Sequence, residues 1–173
     1  MKISLKKLLI ALNALVLFTA CTSPINKDPE KLNALIDQWH VDVAESNFDG
    51  YFDRMGGSSF FIGTDANERW TKDQFMEFSK PYFDKESTWD FKVIDRNLVI
   101  DTDYPVVWFD EVLDTWMGLC RGSGVLKYKQ GSWYLEHYVL SLTVPNDDMD
   151  AVIEVIQDKE EQLKLYSPAS AGK

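Results

Sequence analysis

Cysteine and histidine are scarce in this chain, with two of each among 173 residues. Two cysteines exclude a disulfide-dense scaffold, and two histidines leave little room for a histidine-based metal site, so we expect no metal and no cofactor. Positive charge is also short: 18 Lys+Arg stand against 28 Asp+Glu, a formal net of −10. A protein that grips phosphates needs a basic stripe, which excludes nucleic acid as a partner. Repeats and low-complexity segments are absent. The one long apolar run, Leu8 to Ala20, is about thirteen residues, short of the roughly 20 that a spanning helix needs. Against these absences stand 45% hydrophobic residues with 6 Trp, 7 Tyr and 10 Phe. That is enough for one core and rules out a disordered or fibrous chain. Composition gives a compact, acidic, aromatic-rich domain and no sign of an enzyme.

The apolar run has its own logic. Lys2, Lys6 and Lys7 precede it as a positive n-region, and it ends in Phe18-Thr19-Ala20-Cys21. A short apolar stretch behind basic residues is a signal-peptide pattern. The small residues before Cys21 resemble the lipobox of bacterial lipoproteins. The resemblance implies cleavage after residue 20 and acylation of Cys21, whose chains would be the contact with the membrane. Thr22, where an Asp would signal inner-membrane retention, implies the outer membrane of a bacterial envelope. Without residues 1–20 the chain loses three Lys and no acid, so 18 basic residues become 15 and the net charge becomes −13. An acidic body is repelled by anionic headgroups, which leaves the lipid as the anchor. Cys120 then has no intrachain partner and reads as a small buried hydrophobe. Residues 21–28 read as a tether.

Residues 29–145 form the domain. Asp28-Pro29-Glu30 is a helix start, followed by Leu32, Leu35, Ile36, Trp39 and Val43 at helical spacing as far as about Asn47. Phe48 to Met55 predicts a second short helix ended by Gly56-Gly57, and Ser59 to Gly63 a short strand. Thr71 and Gln74 form a capping box for a third helix, with Trp70 and Phe75 as its hydrophobic staple and Pro81 as its end or kink. Period-2 patterning then gives four strands: 88–101, 104–114, 119–130 and 132–144. After Pro145 a final helix and tail occupy residues 146–173, with Val152, Val155, Ile156 and Leu163 expected to face inward. Helices followed by antiparallel strands mean an α+β fold, with helices on one face of a curved sheet.

This order resembles the nuclear transport factor 2-like superfamily, and within it the SnoaL-like branch. The likeness is carried by Phe61-Ile62-Gly63-Thr64-Asp65 with Glu68-Arg69-Trp70-Thr71, then Val107-Trp108-Phe109-Asp110-Glu111. Arg121-Gly122-Ser123-Gly124-Val125-Leu126 and Gly131-Ser132-Trp133-Tyr134-Leu135-Glu136-His137-Tyr138 complete it. The resemblance implies a cone-shaped roll with a pocket at its wide end, a small and largely apolar ligand, and homodimers through the sheet. It also implies that Trp133, Leu135, His137, Val139 and Ser141 point into the cone.

On that reading His137 is the candidate general acid/base, being the side chain that titrates near neutral pH. Asp110 is its candidate partner, and Trp39, Phe61, Trp108, Asp110, Arg121 and His137 are the candidate ligand-binding set. A histidine on an apolar strand face is equally at home as a hydrogen-bonded core residue. Glu111 with Arg121 reads as a cross-strand ion pair, Asp65 with Arg69 as a loop-fixing pair, and His40 as partly outward. A ligand binder, an isomerase- or dehydratase-like enzyme and a protein-interaction module all fit such a fold, because fold does not choose function.

Overall fold

The structure is a computed structural model that describes residues 25–166; Cys21 and the apolar run before it lie outside the described residues. Helix α1, Pro29–Ala44, begins where Asp28 accepts a hydrogen bond from the Glu30 amide at 3.0 Å, and Leu32, Ile36, Trp39 and Val43 form its buried stripe. The helix stops sooner than its spacing suggests, because Ser46 takes a positive φ of 56°. Helix α2, Phe48–Asp53, follows under an Asn47 cap. Buried Asp42 locks the corner, accepting from Asn47 Nδ2 at 2.9 Å and from Arg54 Nε at 2.7 Å.

Strand β1, Met55–Ile62, is longer than expected and contains Gly56 and Gly57, which therefore do not close a helix. A three-residue strand β2, Arg69–Thr71, leads into helix α3, Lys72–Asp84, which carries the expected capping box. Trp70 and Phe75 stack at 5.5 Å across that start. Pro81 lies inside α3 and does not end it: the last turn continues and carries Phe83 into the core.

Four long strands complete the sheet: β3 Lys92–Ile100, β4 Val106–Thr115, β5 Gly118–Lys129 and β6 Ser132–Leu142. The order is β2-β1-β6-β5-β4-β3, antiparallel except where β1 runs parallel to β6. The inner face carries Val107, Phe109, Leu113, Leu126, Leu135, Tyr138 and Leu140 onto α1, α2 and α3. Cys120 is buried, as expected of a small hydrophobe.

One irregularity decides which residues face the core. Leu126 pairs with Leu135 but Val125 pairs with His137, so Glu136 is an extra residue on β6. Such a bulge reverses the side-chain phase beyond it. Leu135 points inward before the bulge, Tyr138 and Leu140 after it, and His137, Val139 and Ser141 go to the outer face. The expectation that His137 shares the cone-facing set with Trp133 and Leu135 is corrected, since unbroken alternation cannot see an inserted residue.

The last helix departs from expectation too. A 3-10 turn, Asn146–Asp148, precedes α4, Met149–Tyr166, whose apolar residues were expected to face inward. Val155 is instead 78% exposed and Ile156 is also exposed, while Val152 is half-buried and the side chain of Leu163 lies outside the described residues. Among the described residues no helix is long and apolar enough to cross a membrane.

Candidate functional site

The interior of the roll holds a polar hub. On β4, Val107, Phe109 and Leu113 set the buried parity, and Glu111 falls on it with 0% exposure. A lone carboxylate there would cost several kcal/mol, so its oxygens must be matched. Oε1 accepts from His40 Nε2 at 2.9 Å and from the Tyr138 hydroxyl at 2.7 Å; Oε2 accepts from Arg96 Nε at 2.8 Å. Arg96 reaches on through Nη1 to Asp37 at 2.6 Å. The hub therefore ties β3, β4 and β6 to α1.

Gly122, opposite Glu111 on β5, makes room for it. A Cβ at that position would stand 2.2 Å from the Tyr138 hydroxyl and 2.9 Å from Glu111. Burial pushes the Glu111 carboxyl up, but the hydrogen bond and charge of His40, the Arg96 guanidinium and the Tyr138 hydroxyl outweigh it. The net effect holds Glu111 below the usual carboxylate range. Burial and the neighbouring carboxylate push the Tyr138 hydroxyl well up, so it remains a neutral donor.

The cone opens at the end bearing the β4–β5 turn. There Phe61, Trp70, Phe75, Phe78, Trp89 and Trp116 surround a cleft of about 170 Å3. The rings are ordered: Phe61 lies 4.1 Å from Phe75 at 14°, and Trp70 lies 4.6 Å from Phe78 at 22°. Trp116, at the turn, is 82% exposed. Glu68 is the one charged side chain in the lining. A larger opening of about 610 Å3 beside Gly57 and Tyr134 is a shallow polar trough. Its two lysines are engaged, Lys72 by the Met55 carbonyl at 3.0 Å and Lys129 by Glu136 at 2.7 Å.

The residues singled out from the sequence divide three ways. Phe61 lines the cleft. Trp39 is core, stacked on Tyr51 at 4.9 Å and edge-on to Tyr138 at 4.8 Å. Trp108, Asp110, Arg121 and His137 come together on the outer face of the sheet and not in the cone, because Phe109 and Glu111 hold the inward parity on β4 and the bulge turns His137 outward. Arg121 pairs with Asp110 at 3.2 Å; Glu111 faces Gly122, so the expected Glu111–Arg121 pair does not form. Asp65 accepts from the Asn67 amide at 2.9 Å, while Arg69 lies over the Phe60 ring at 4.0 Å, so that pair is absent too. His40 is buried at 6% exposure, not partly outward. Sequence reasoning missed Glu111, Arg96, Tyr138 and His40 as a unit. A usable signal was present: a glutamate on the parity otherwise held by Val107, Phe109 and Leu113.

Comparison with known proteins places this geometry. The model of the SnoaL-like domain family matches residues 32–145. No curated protein matches the chain. Among solved structures, a protein of unknown function from Pseudomonas putida, described as nuclear transport factor 2-like, superposes with a TM-score of 0.56. It is 11% identical, over 68% of this chain and 87% of its own. A nuclear transport factor 2-like protein from Cytophaga hutchinsonii gives 0.56 at 12% identity, covering 69% and 100%. The association domain of C. elegans CaMKII gives 0.54 at 17%, covering 65% and 94%. At these identities the structures speak for the fold alone. The helices held in a curved six-stranded sheet, and a family match across most of that body, lead to one conclusion: the chain belongs to the SnoaL-like domain family, with a nuclear transport factor 2-like fold.

Proposed function

We propose that this protein is a lipid-anchored bacterial envelope protein whose cone mouth binds a small, largely apolar molecule. The aromatic cleft carries the reading: seven aromatic side chains, Phe91 among them, around about 170 Å3, with little polar surface to satisfy. That is below the roughly 300–1,000 Å3 of drug-sized sites, so the occupant is a one- or two-ring compound or a short chain. Three of the lining residues are tryptophans, so occupancy is readable directly. Titration with indole, 1-naphthol and short-chain alcohols should shift the tryptophan emission and raise the melting temperature for at least one of them. A ligand at about 100 times its Kd adds about 2.7 kcal/mol of stability. A flat response across the panel would overturn the reading.

The route of the chain out of the body sets where an anchor on Cys21 would lie. Lys27 donates to the carbonyls of Asp101 at 2.5 Å and Tyr104 at 2.9 Å, and Trp133 Nε1 donates to the Asn26 carbonyl at 2.8 Å. These contacts pin the tether beside the β3–β4 loop, at the opposite end of the strands from Trp116. An acylated Cys21 would thus hold the cleft away from the membrane, facing the aqueous phase. Intact mass and membrane fractionation test this: Cys21→Ser should lack the acyl mass and appear in the soluble fraction, and a wild-type chain without added mass would refute it.

A second reading, assembly through the sheet, has its own observation. Phe60, His137, Val125, Trp108 and Val99 form one cross-strand row on the outer face, with Trp108 and Val99 exposed. Sedimentation of wild type and Trp108→Glu tests it. A dimer that the charge dissociates supports it, and a monomer at high concentration rejects it.

A further inference from the structure

Helix α4 joins an uncovered apolar stripe to uncompensated negative charge. Met149, Ile153 and Ile156 recur at i, i+4 and i+7 and all three are exposed, so they line one side of the helix in contact with water. The spacing continues in the sequence to Leu163. Asp150, Glu154, Asp158 and Glu161 follow one another at intervals of four, four and three, which sets them together on the neighbouring flank, and each is exposed. Residues 147–161 hold seven acids against Lys159 alone, a net of −6. Among the described residues none of the seven enters an ion pair. Helix stability does not explain them. Asp147, Asp148 and Asp150 suit the positive end of the helix dipole, but Glu160 and Glu161 sit in the C-terminal half, where negative charge is disfavoured. Asp150 with Glu154, and Glu154 with Asp158, are like charges at i, i+4, which repel. The compensating positive charge must come from outside the helix.

We propose that α4 is a docking helix, and that its occupant is a basic amphipathic helix of another protein. The partner's apolar stripe covers Met149, Ile153 and Ile156, and its lysines and arginines lie along Asp150, Glu154, Asp158 and Glu161. Charge chooses this occupant over two others that an apolar stripe could attract. A second copy of α4 would set −6 against −6, and an anionic bilayer surface would repel the flank. The helix has 18 residues, about five turns and about 27 Å, which is long enough for a helix-on-helix contact. None of its residues lines the aromatic cleft, so this surface stands whether or not the cleft holds a ligand.

The probe is a dye-labelled helical peptide of leucine and lysine, as long as α4, titrated with the full chain and read by fluorescence anisotropy. Two companion peptides separate the forces: one carries serine for every leucine, the other glutamate for every lysine. The leucine–lysine peptide should bind, and neither companion should. Ile153→Glu and Ile156→Glu change exposed positions, so the fold is kept, and each should weaken the peptide by about tenfold, which is about 1.4 kcal/mol. Attraction by charge alone would tighten it instead, since each variant adds a carboxylate. Equal binding of either companion, binding unchanged or tightened in both isoleucine variants, or a full chain whose self-association in sedimentation is abolished by Ile156→Glu would each overturn the proposal.

Discussion

Replacing Glu111 by Gln keeps the shape of the side chain and removes the charge around which His40, Arg96 and Tyr138 are arranged. Two of the donors still find an amide oxygen, but the new NH2 is then turned toward Arg96, donor against donor. Arg96 keeps exposed Asp37 as its carboxylate partner and stays buried without its buried one. Breaking a buried pair from one side costs about 3–5 kcal/mol, a large share of the about 5–15 kcal/mol that holds a domain together. With a urea m-value of about 1.5 kcal/mol/M, the unfolding midpoint should fall by about 2–3 M at neutral pH. The difference also depends on pH. Because the folded-state pKa of Glu111 is depressed, its contribution is fully present above the unfolded value of about 4.3 and is lost as pH falls through the lower folded value. Wild type and Glu111→Gln should therefore differ by a constant amount above about pH 5 and converge below about pH 4. Urea titrations followed by tryptophan fluorescence at several pH values measure both. An unchanged midpoint at neutral pH, or a gap as wide in acid as at neutrality, would refute the hub as a charged, stabilising unit.

Other consequences can be checked on the same instruments. Gly122→Ala places a methyl group 2.2 Å from the Tyr138 hydroxyl and should cost about 1–3 kcal/mol, with a changed near-ultraviolet dichroism as the aromatic packing shifts. Ending the chain after Pro145 should leave the melting temperature unchanged, since Met149, Ile153, Val155 and Ile156 are exposed; a fall of several degrees would mean that the helix packs on the body. Thr71→Ala removes the side-chain oxygen that accepts the Gln74 amide at 3.3 Å and should cost about 1 kcal/mol, read as a shifted urea midpoint.

Much of the fold was legible because it is written in local terms. The Asp28 cap, the Leu32–Val43 stripe, the Thr71–Gln74 box and the period-2 run of the long strands are short-range patterns, and each maps onto an element that formed. Boundaries failed where a neighbour far along the chain set them. Gly56 and Gly57 look like a helix stop, yet they lie in β1 because β6 runs alongside. Pro81 looks like an end, yet the burial of Phe83 draws the helix past it. The candidate site was less legible. Phe61 reached the cleft, but the polar candidates were assigned to the wrong face of the sheet.

The sequence by itself determined the class of the molecule: an acidic α+β domain with a large aromatic core and a core thiol at Cys120. Its local patterns suffice for that, because caps, stripes and alternation act over a few residues. Tertiary structure decided which polar groups meet. Glu136 is an unremarkable residue in a strand until pairing with β5 leaves it without a partner, and its insertion sends His137 outward and Tyr138 inward to Glu111. His40 meets Glu111 across 71 positions of sequence. No window along the chain contains that contact; only the closing of the sheet around α1 brings it about.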